Sequence, residues 1–385
     1  MSLQFLVTDR ALRVQGAPLD GWTSVDVTRR FNEPGSGSLT LPARPETMAQ
    51  LQPGNRIVML RDGGIWMAGP MEIPTDYAWD LSENAGTGTV TVNWSDDLAT
   101  LAGRITWPAP GSGWTSQPGS AWWEATGNAE TTIRNLVNLN AGPGAWSGRA
   151  VPGLVLAPAA GVGTSTATRT RFEPLLEVCR RAALGGGGLG FRIDQSGGGL
   201  VFSVYAPRDL TRVARFSIGL GNLRSLQAKI SAPTATHALV AGTESEGVTT
   251  RTFVQRADTS AAGTWWRVEQ YVDGSAETDA DGALTADGNA LLAEQAAPVE
   301  LATVTTDTPQ LRAGVDYDLG DRVTVVLPHG LEVTDLVRSI HLQATPASGE
   351  YVTAVVGSPE ASTDPQTVRL LRSLTRRLGR LETRR

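Results

Sequence analysis

Residues 314–357 read GVDYDLGDRVTVVLPHGLEVTDLVRSIHLQATPASGEYVTAVVG. Val323, Val325 and Leu327 recur at every second position, as do Ile340, Leu342 and Ala344, then Val352, Ala354 and Val356. A period of two places each set on one face of a strand, so strands are expected over 321–327, 336–344 and 351–356. Pro328-His329-Gly330 and residues 346–349 supply the turns between them. The stretch therefore predicts an antiparallel meander with one buried face. Three strands leave two open edges, so partners are expected earlier in the chain. Segments 213–218, 223–230 and 237–242 have the same texture, and pairing with them would make one small barrel with about 60 residues inserted between its halves.

Working outward, Val25, Val27 and Phe31 alternate with polar residues, Leu39 and Leu41 begin a return strand, and Asp62-Gly63-Gly64 is a hairpin signature between 56–60 and 65–68. Val90, Val92 and Trp94 form another period-two set. Ser95-Asp96-Asp97 reads as a helix start, with Ser95 as cap and two acids at the positive end, followed by Leu98, Leu101 and Ile105 at helical spacing. Residues 1–105 are thus expected to form a first β-barrel domain closed by a short helix. An α+β domain follows over 106–212. It holds a helix at 131–140 carrying Ile133, Leu136 and Val137, a loop over 141–168, and a helix at 172–184. In that second helix Phe172, Leu175, Leu176, Cys179 and Ala183 share a face, and Pro174 falls in the first turn. Phe191 and Ile193 are then expected opposite Phe202 and Val204. The second β-barrel domain takes 213–245 and 308–358, around an inserted α+β domain over 246–307. That insertion has a helix at 285–296, capped by Thr285, and a strand at 299–305. A C-terminal coiled-coil helix is expected over 363–385.

Composition narrows the function. The chain has 385 residues, which suggests two to four domains, and its 43 glycines and 22 prolines favour short strands and turns. Net charge is −6, yet residues 369–385 carry seven Arg and one Glu, leaving −12 on the remainder. Such a body does not hold nucleic acid tightly, since phosphate binding needs clustered cations. Lys229 is the only lysine and Cys179 the only cysteine, so there is neither an intrachain disulfide nor a Cys-based zinc site. Residues 1–10 lack the basic segment and long apolar core of a secretory signal. No run of about 18 apolar residues suggests a membrane span.

The order of these parts resembles the tail hub of long-tailed bacteriophages, the minor tail or baseplate hub proteins that form the N-terminal part of tail-associated proteins. SDDLATLAGRITWP (95–108) looks like the end of that family's first barrel, FEPLLEVCRRAALGGGGLGFRIDQSGGGLVFSVYAPRDL (172–210) like its second domain, and LGNLRSLQAKISAPTATHALVAG (220–242) like the start of its second barrel. The resemblance implies a mainly β fold with an α+β insertion, in which two small antiparallel β-barrels per subunit form a pseudo-sixfold ring in a homotrimer. It implies a ring that matches a hexameric distal tail or tail-tube protein, adapts it to a threefold tip, spike or fibre protein, and lets DNA pass without specific binding. Some relatives continue into a hydrolase or receptor-binding region, whereas this sequence ends at Arg385. Leu371, Leu374, Leu378 and Leu381 step by three, four and three and are expected to form the trimer's coiled-coil seam, with Arg372, Arg376, Arg377 and Arg380 outside it.

Other constellations have simpler readings. GGGGLG (185–190) fits the G-x-G-x-x-G pattern but follows a helix and precedes a strand, the reverse of a dinucleotide site. Glu277, Asp279, Asp281 and Gly282 imitate the start of a calcium loop, but Gly288 stands where the bidentate acid belongs. Asp316, Asp318 and Asp321 could gather a cation or mark a strand start. Asp96 and Asp97 are neighbours on a helix and do not converge as glycosidase carboxylates. His237, His329 and His341 are scattered without a nucleophile elbow. Eight of the eleven tryptophans lie between Trp66 and Trp146; Trp122-Trp123 could stack on sugar rings, or fill cores and subunit contacts. The expectation is a structural protein, not an enzyme, with no cofactor and no metal. A module binding a bacterial surface glycan and a cell-wall hydrolase are the alternatives.

Overall fold

The computed structural model describes residues 3–357 except 80–87, 114, 116, 118–120, 197, 231, 244–250, 275, 281, 297–298 and 329. The N-terminal unit runs β1 (Leu3–Thr8), β2 (Ser24–Arg30), β3 (Glu33–Pro42), α1 (Pro45–Gln50), β4 (Arg56–Arg61), β5 (Gly64–Ala78), β6 (Thr89–Ser95) and α2 (Ala99–Ala102). Alternation does what it predicts: Val25, Val27, Leu39, Leu41, Val90, Val92 and Trp94 all turn into one core. The β4–β5 hairpin closes on Asp62 and Gly63, both at positive φ (50° and 84°), the turn that Asp-Gly favours. Gly37 lies under the Trp94 ring, where an added Cβ would come within 2.3 Å of it. Ser95 does not cap a helix. It ends β6, its hydroxyl donates to Glu72, and Asp96 takes the Leu98 N–H instead.

The second unit holds β7 (Trp123–Asn128), α3 (Ala129–Asn140), β8 (Leu154–Leu156), β9 (Ser165–Thr170), α4 (Leu175–Gly185), β10 (Gly190–Ser196) and β11 (Gly199–Tyr205). Phe191 faces Val204 and Ile193 faces Phe202, as expected. Two expectations fail. The stretch 141–168 is not all loop: β8 pairs in parallel with β11, and β9 pairs antiparallel with β7. Phe172 is not on the helix. Pro174 disfavours helical backbone at the residue before it, so α4 begins at Leu175, and Phe172 sits at φ 55° and 46% exposed. Leu98 and Leu101 pack into this second core, not the first.

The rest runs β12 (Arg215–Phe216), β13 (Leu223–Ile230), β14 (His237–Ala241), β15 (Phe253–Ala257), α5 (Thr259–Thr264), β16 (Glu269–Asp273), α6 (Ala283–Gln295), β17 (Val299–Thr305), β18 (Arg322–Val326), β19 (Glu332–Thr345) and β20 (Gly349–Val356). The meander β18–β19–β20 forms antiparallel as read. Its partners differ from those expected. Of the three segments expected, only β12 joins it directly, alongside β18. β14 is instead the centre of a separate three-stranded sheet with β15 and β16, against α6. β17, expected inside the insertion, pairs with β13.

Among the described strands no sheet closes into a barrel, which corrects the expectation of two. One ten-stranded sheet runs β1-β4-β5-β6-β3-β2-β19-β18-β12, with β20 on β19. The fusion is the β2–β19 ladder, which pairs residues more than 300 positions apart, Val27 opposite Leu342. One apolar cluster accordingly runs from Phe5 to Val356. The free edge of β20 is satisfied by side chains rather than by a ladder. Thr305 Oγ1 accepts from Ala354 N–H (2.8 Å), Thr303 Oγ1 accepts from Val356 N–H (3.4 Å), and both hydroxyls point back at the Ala354 carbonyl. Asn222 ties β12 to β13 in the same way, donating to Arg215 O and accepting from Ser217 N–H.

Candidate functional site

The three units meet around the β2–β3 turn. Asn32 there adopts φ 55°, tolerable for Asn, and its amide accepts from Phe191 N–H (2.8 Å) and donates to Leu189 O (2.9 Å). Tyr205 donates to Leu319 O (3.1 Å). Arg29 pairs with Asp318 at 3.1 Å while stacking on the buried Trp66 ring, 4.7 Å from its centre. Arg56 grips Asp97 through both nitrogens (2.6 and 2.9 Å) and donates to Gln195. Arg61, also 4.7 Å from the centre of the Trp66 ring, joins Asp307 (2.9 Å) and Glu350 (2.6 Å).

Between these contacts lies a cleft of about 200 Å³, lined among others by Arg29, Arg192, Asp96, Asp194, Asp318 and Tyr205. Burial pushes Asp96 up to about 6, against the opposing pull of the Gly35 and Leu98 N–H groups. Desolvation likewise raises Tyr205. No histidine, cysteine or serine lines the cleft. Its carboxylates face arginines and backbone donors, so the chemistry it offers is that of a lock between units.

A second surface is the outer face of the fused sheet. The registers align Asn93, Ser38, Asp26, Gln343 and Tyr351 in one row across β6, β3, β2, β19 and β20. Ser36, Thr28, His341 and Thr353 make the next row, and Thr91, Thr40 and Ser24 a third. Asp26 accepts from His341 Nε2 or pairs with it (2.8 Å) and accepts from Gln343 (2.9 Å). Thr40 and Thr91 share a hydrogen bond (3.0 Å).

The sequence matches the Siphovirus ReqiPepy6 Gp37-like protein family over residues 4–358. The chain belongs to that family. No curated protein matches it. Its fold is that of prophage tail proteins. The 43 kDa tail protein of prophage MuSo2 from Shewanella oneidensis superposes with a TM-score of 0.56 at 15% identity, covering 92% of this chain and 98% of that one. A tail protein from Neisseria meningitidis MC58 gives 0.56 at 13% identity, over 94% and 98% of the two chains. Prophage tail protein gp18 from Listeria monocytogenes EGD-e gives 0.55 at 11%, over 97% and 99%. Family and fold together support a structural component of a phage tail, located in the virion tail.

The residues singled out in the sequence have mostly structural partners. The seam residues Leu371, Leu374, Leu378 and Leu381 lie outside the described residues, as does His329. Asp279 takes both the N–H (2.8 Å) and the hydroxyl (2.6 Å) of Thr285 at the start of α6, so Thr285 is capped rather than capping. Asp318 goes to Arg29, Asp321 to Arg208, and Asp316 to the Arg312 N–H. Among the described residues no group of His, Cys, Asp and Glu converges as a metal site, and no helix is long and apolar enough to cross a membrane. His237 bonds its neighbour Thr236 on one sheet and His341 bonds Asp26 on another. Several tryptophans serve as planks for arginine: Trp107 under Arg149, and Trp122 under Arg169 and Arg171. What sequence reading missed is the β2–β19 ladder and the Arg56–Asp97 and Arg61–Asp307 pairs. Each joins residues too distant in sequence for any local signal.

Proposed function

We propose that three copies of this chain form the hub at the tip of a phage tail. The observation that carries the reading is the β2–β19 ladder, which sets the N-terminal and C-terminal β units side by side in one sheet. Three copies then present six β units, a number that can meet a hexameric distal tail or tail-tube ring above. Below, the C-terminal helix over 363–385 would gather on the threefold axis through Leu371, Leu374, Leu378 and Leu381 and receive a tip, spike or fibre protein. The α+β unit and the β14–β15–β16 insertion flank the ring, and its lumen is the distal end of the DNA channel. The interlocked carboxylates and arginines of the cleft fit a rigid ring. The test is the mass of the purified chain in solution, together with an image of the particle. A trimer seated at the tail tip supports the hub. A stable monomer, or a position along the tail shaft, overturns it.

A further inference from the structure

We infer that the outer face of the β14–β15–β16 sheet binds a neutral polysaccharide of a cell surface. His237, Leu239 and Ala241 on the central strand stand beside Ala257, Gln255 and Phe253 on β15 and beside Glu269, Tyr271 and Asp273 on β16. The intervening residues Ala238, Val240, Val254 and Val272 cluster with Leu284 of α6, so those nine point the other way. A sheet covered on one side is ordinarily polar on its solvent face. Here Leu239 (42%), Phe253 (57%) and Tyr271 (44%) are exposed. Leu239 sits on the central strand, so no described element lies over the middle of the face.

Planar polar groups stand among these apolar ones. Tyr271 donates to Asp273 (2.7 Å), two residues along the same face, which leans its ring along the strand instead of letting it stand off the sheet. Arg251 donates to Asp273 (2.9 Å) and Arg267 to Glu269 (2.6 Å). Both carboxylates are thus neutralised yet remain exposed, as does the Gln255 amide.

A sugar chain needs such a surface. A pyranose carries C–H groups on its faces and hydroxyls around its rim. The C–H face packs on an aromatic ring, whose own face is electron-rich, while the hydroxyls exchange hydrogen bonds with carboxylate, amide and guanidinium groups. Phe253 and Tyr271 stand on the two outer strands, two residues out of step. Strand spacing puts their Cα atoms roughly 12 Å apart, so each would meet a different sugar of one chain. Charge points to a neutral sugar: two carboxylates matched by two arginines leave no net cation to draw in an anionic polymer. Size argues against a folded protein. Three strands of five residues cover about 14 Å by 17 Å, roughly 240 Å², whereas a stable protein interface takes about 800 Å² from each partner. An open sheet face also suits a polymer lying across it better than a small molecule, which is held in a pocket.

Electrophoresis of the full chain through gels holding dextran, mannan, galactan or glycol chitin tests this. At least one polymer should retard the parent. Tyr271→Ala and Phe253→Ala should each weaken that binding at least about tenfold, with the urea midpoint unchanged because both side chains are exposed. Trp146→Ala, at an exposed tryptophan of the second unit, should bind as the parent does. Retardation by none of the four polymers overturns the inference, as does binding that survives Tyr271→Ala and Phe253→Ala or is lost in Trp146→Ala. Gln255→Cys adds a second arm, because the native Cys179 is fully buried. A small maleimide should label the new thiol in the assembled chain, and the retarding polymer should slow that labelling. Labelling that the polymer leaves unchanged overturns the inference. Refusal of label without polymer would make the face a contact between protein chains and overturns it too. The face is complete in one copy, so a retarded monomer overturns the hub alone, and an unretarded trimer overturns this inference alone.

Discussion

At the scale of single residues, a buried arginine pair fixes the N-terminal unit where it touches the second, through Gln195. Arg56 and Asp97 are both buried and satisfy each other in a fork, a geometry only arginine offers. Removing one partner leaves an uncompensated charge, which costs about 3–5 kcal/mol. Asp97→Ala should therefore lower the unfolding free energy measured by urea titration by that order, while Asp20→Ala, whose exposed pair with Arg44 is worth little, should leave it nearly unchanged. Asp96 adds a pH dependence of definite sign. Burial raises it to about 6, so the folded chain holds its proton more tightly than the unfolded chain does. Its contribution is present in full below the ordinary carboxylate range and is lost as pH rises through about 6. The loss amounts to at most about 3 kcal/mol. Urea unfolding of the parent and of Asp96→Asn between pH 4 and 7 checks this: the parent should lose stability relative to the variant across that window. Parallel curves would assign the proton elsewhere.

At the scale of elements, the informative feature is how edges are finished. Among the described strands β20 has no backbone partner on its outer side, yet Thr303 and Thr305 hydroxyls supply what a ladder would. A buried donor left unmet costs about 1–3 kcal/mol. Thr305→Val, which keeps shape and removes the hydroxyl, should destabilise by that amount, and hydrogen exchange at Ala354 N–H should accelerate. An unchanged exchange rate would mean that the ladder to β19 alone protects this edge.

At the scale of the molecule, the β units are expected to be what holds three copies together. The proposed C-terminal helix over 363–385 would have about two dozen residues at most, and a helix of that order is only marginally stable alone. It also carries seven arginines that repel one another near an axis. Deleting residues 366–385 should leave the trimer mass intact while abolishing attachment of the tip component. Dissociation to monomers would place the assembly energy in the helix instead. What the sequence determined by itself was local. Period two located the meander strands, Asp-Gly located the β4–β5 turn, and the three- and four-residue spacing of Leu175, Leu176, Cys179 and Ala183 located α4. The order of those parts carried the family. Tertiary structure alone decided which strands became neighbours. β14 and β17 exchanged the roles expected of them, and β2 found β19 across most of the chain, because strands of equal alternation compete for the same edge. Pairing between them is settled by packing on the far face of the sheet, not by any pattern along the strand.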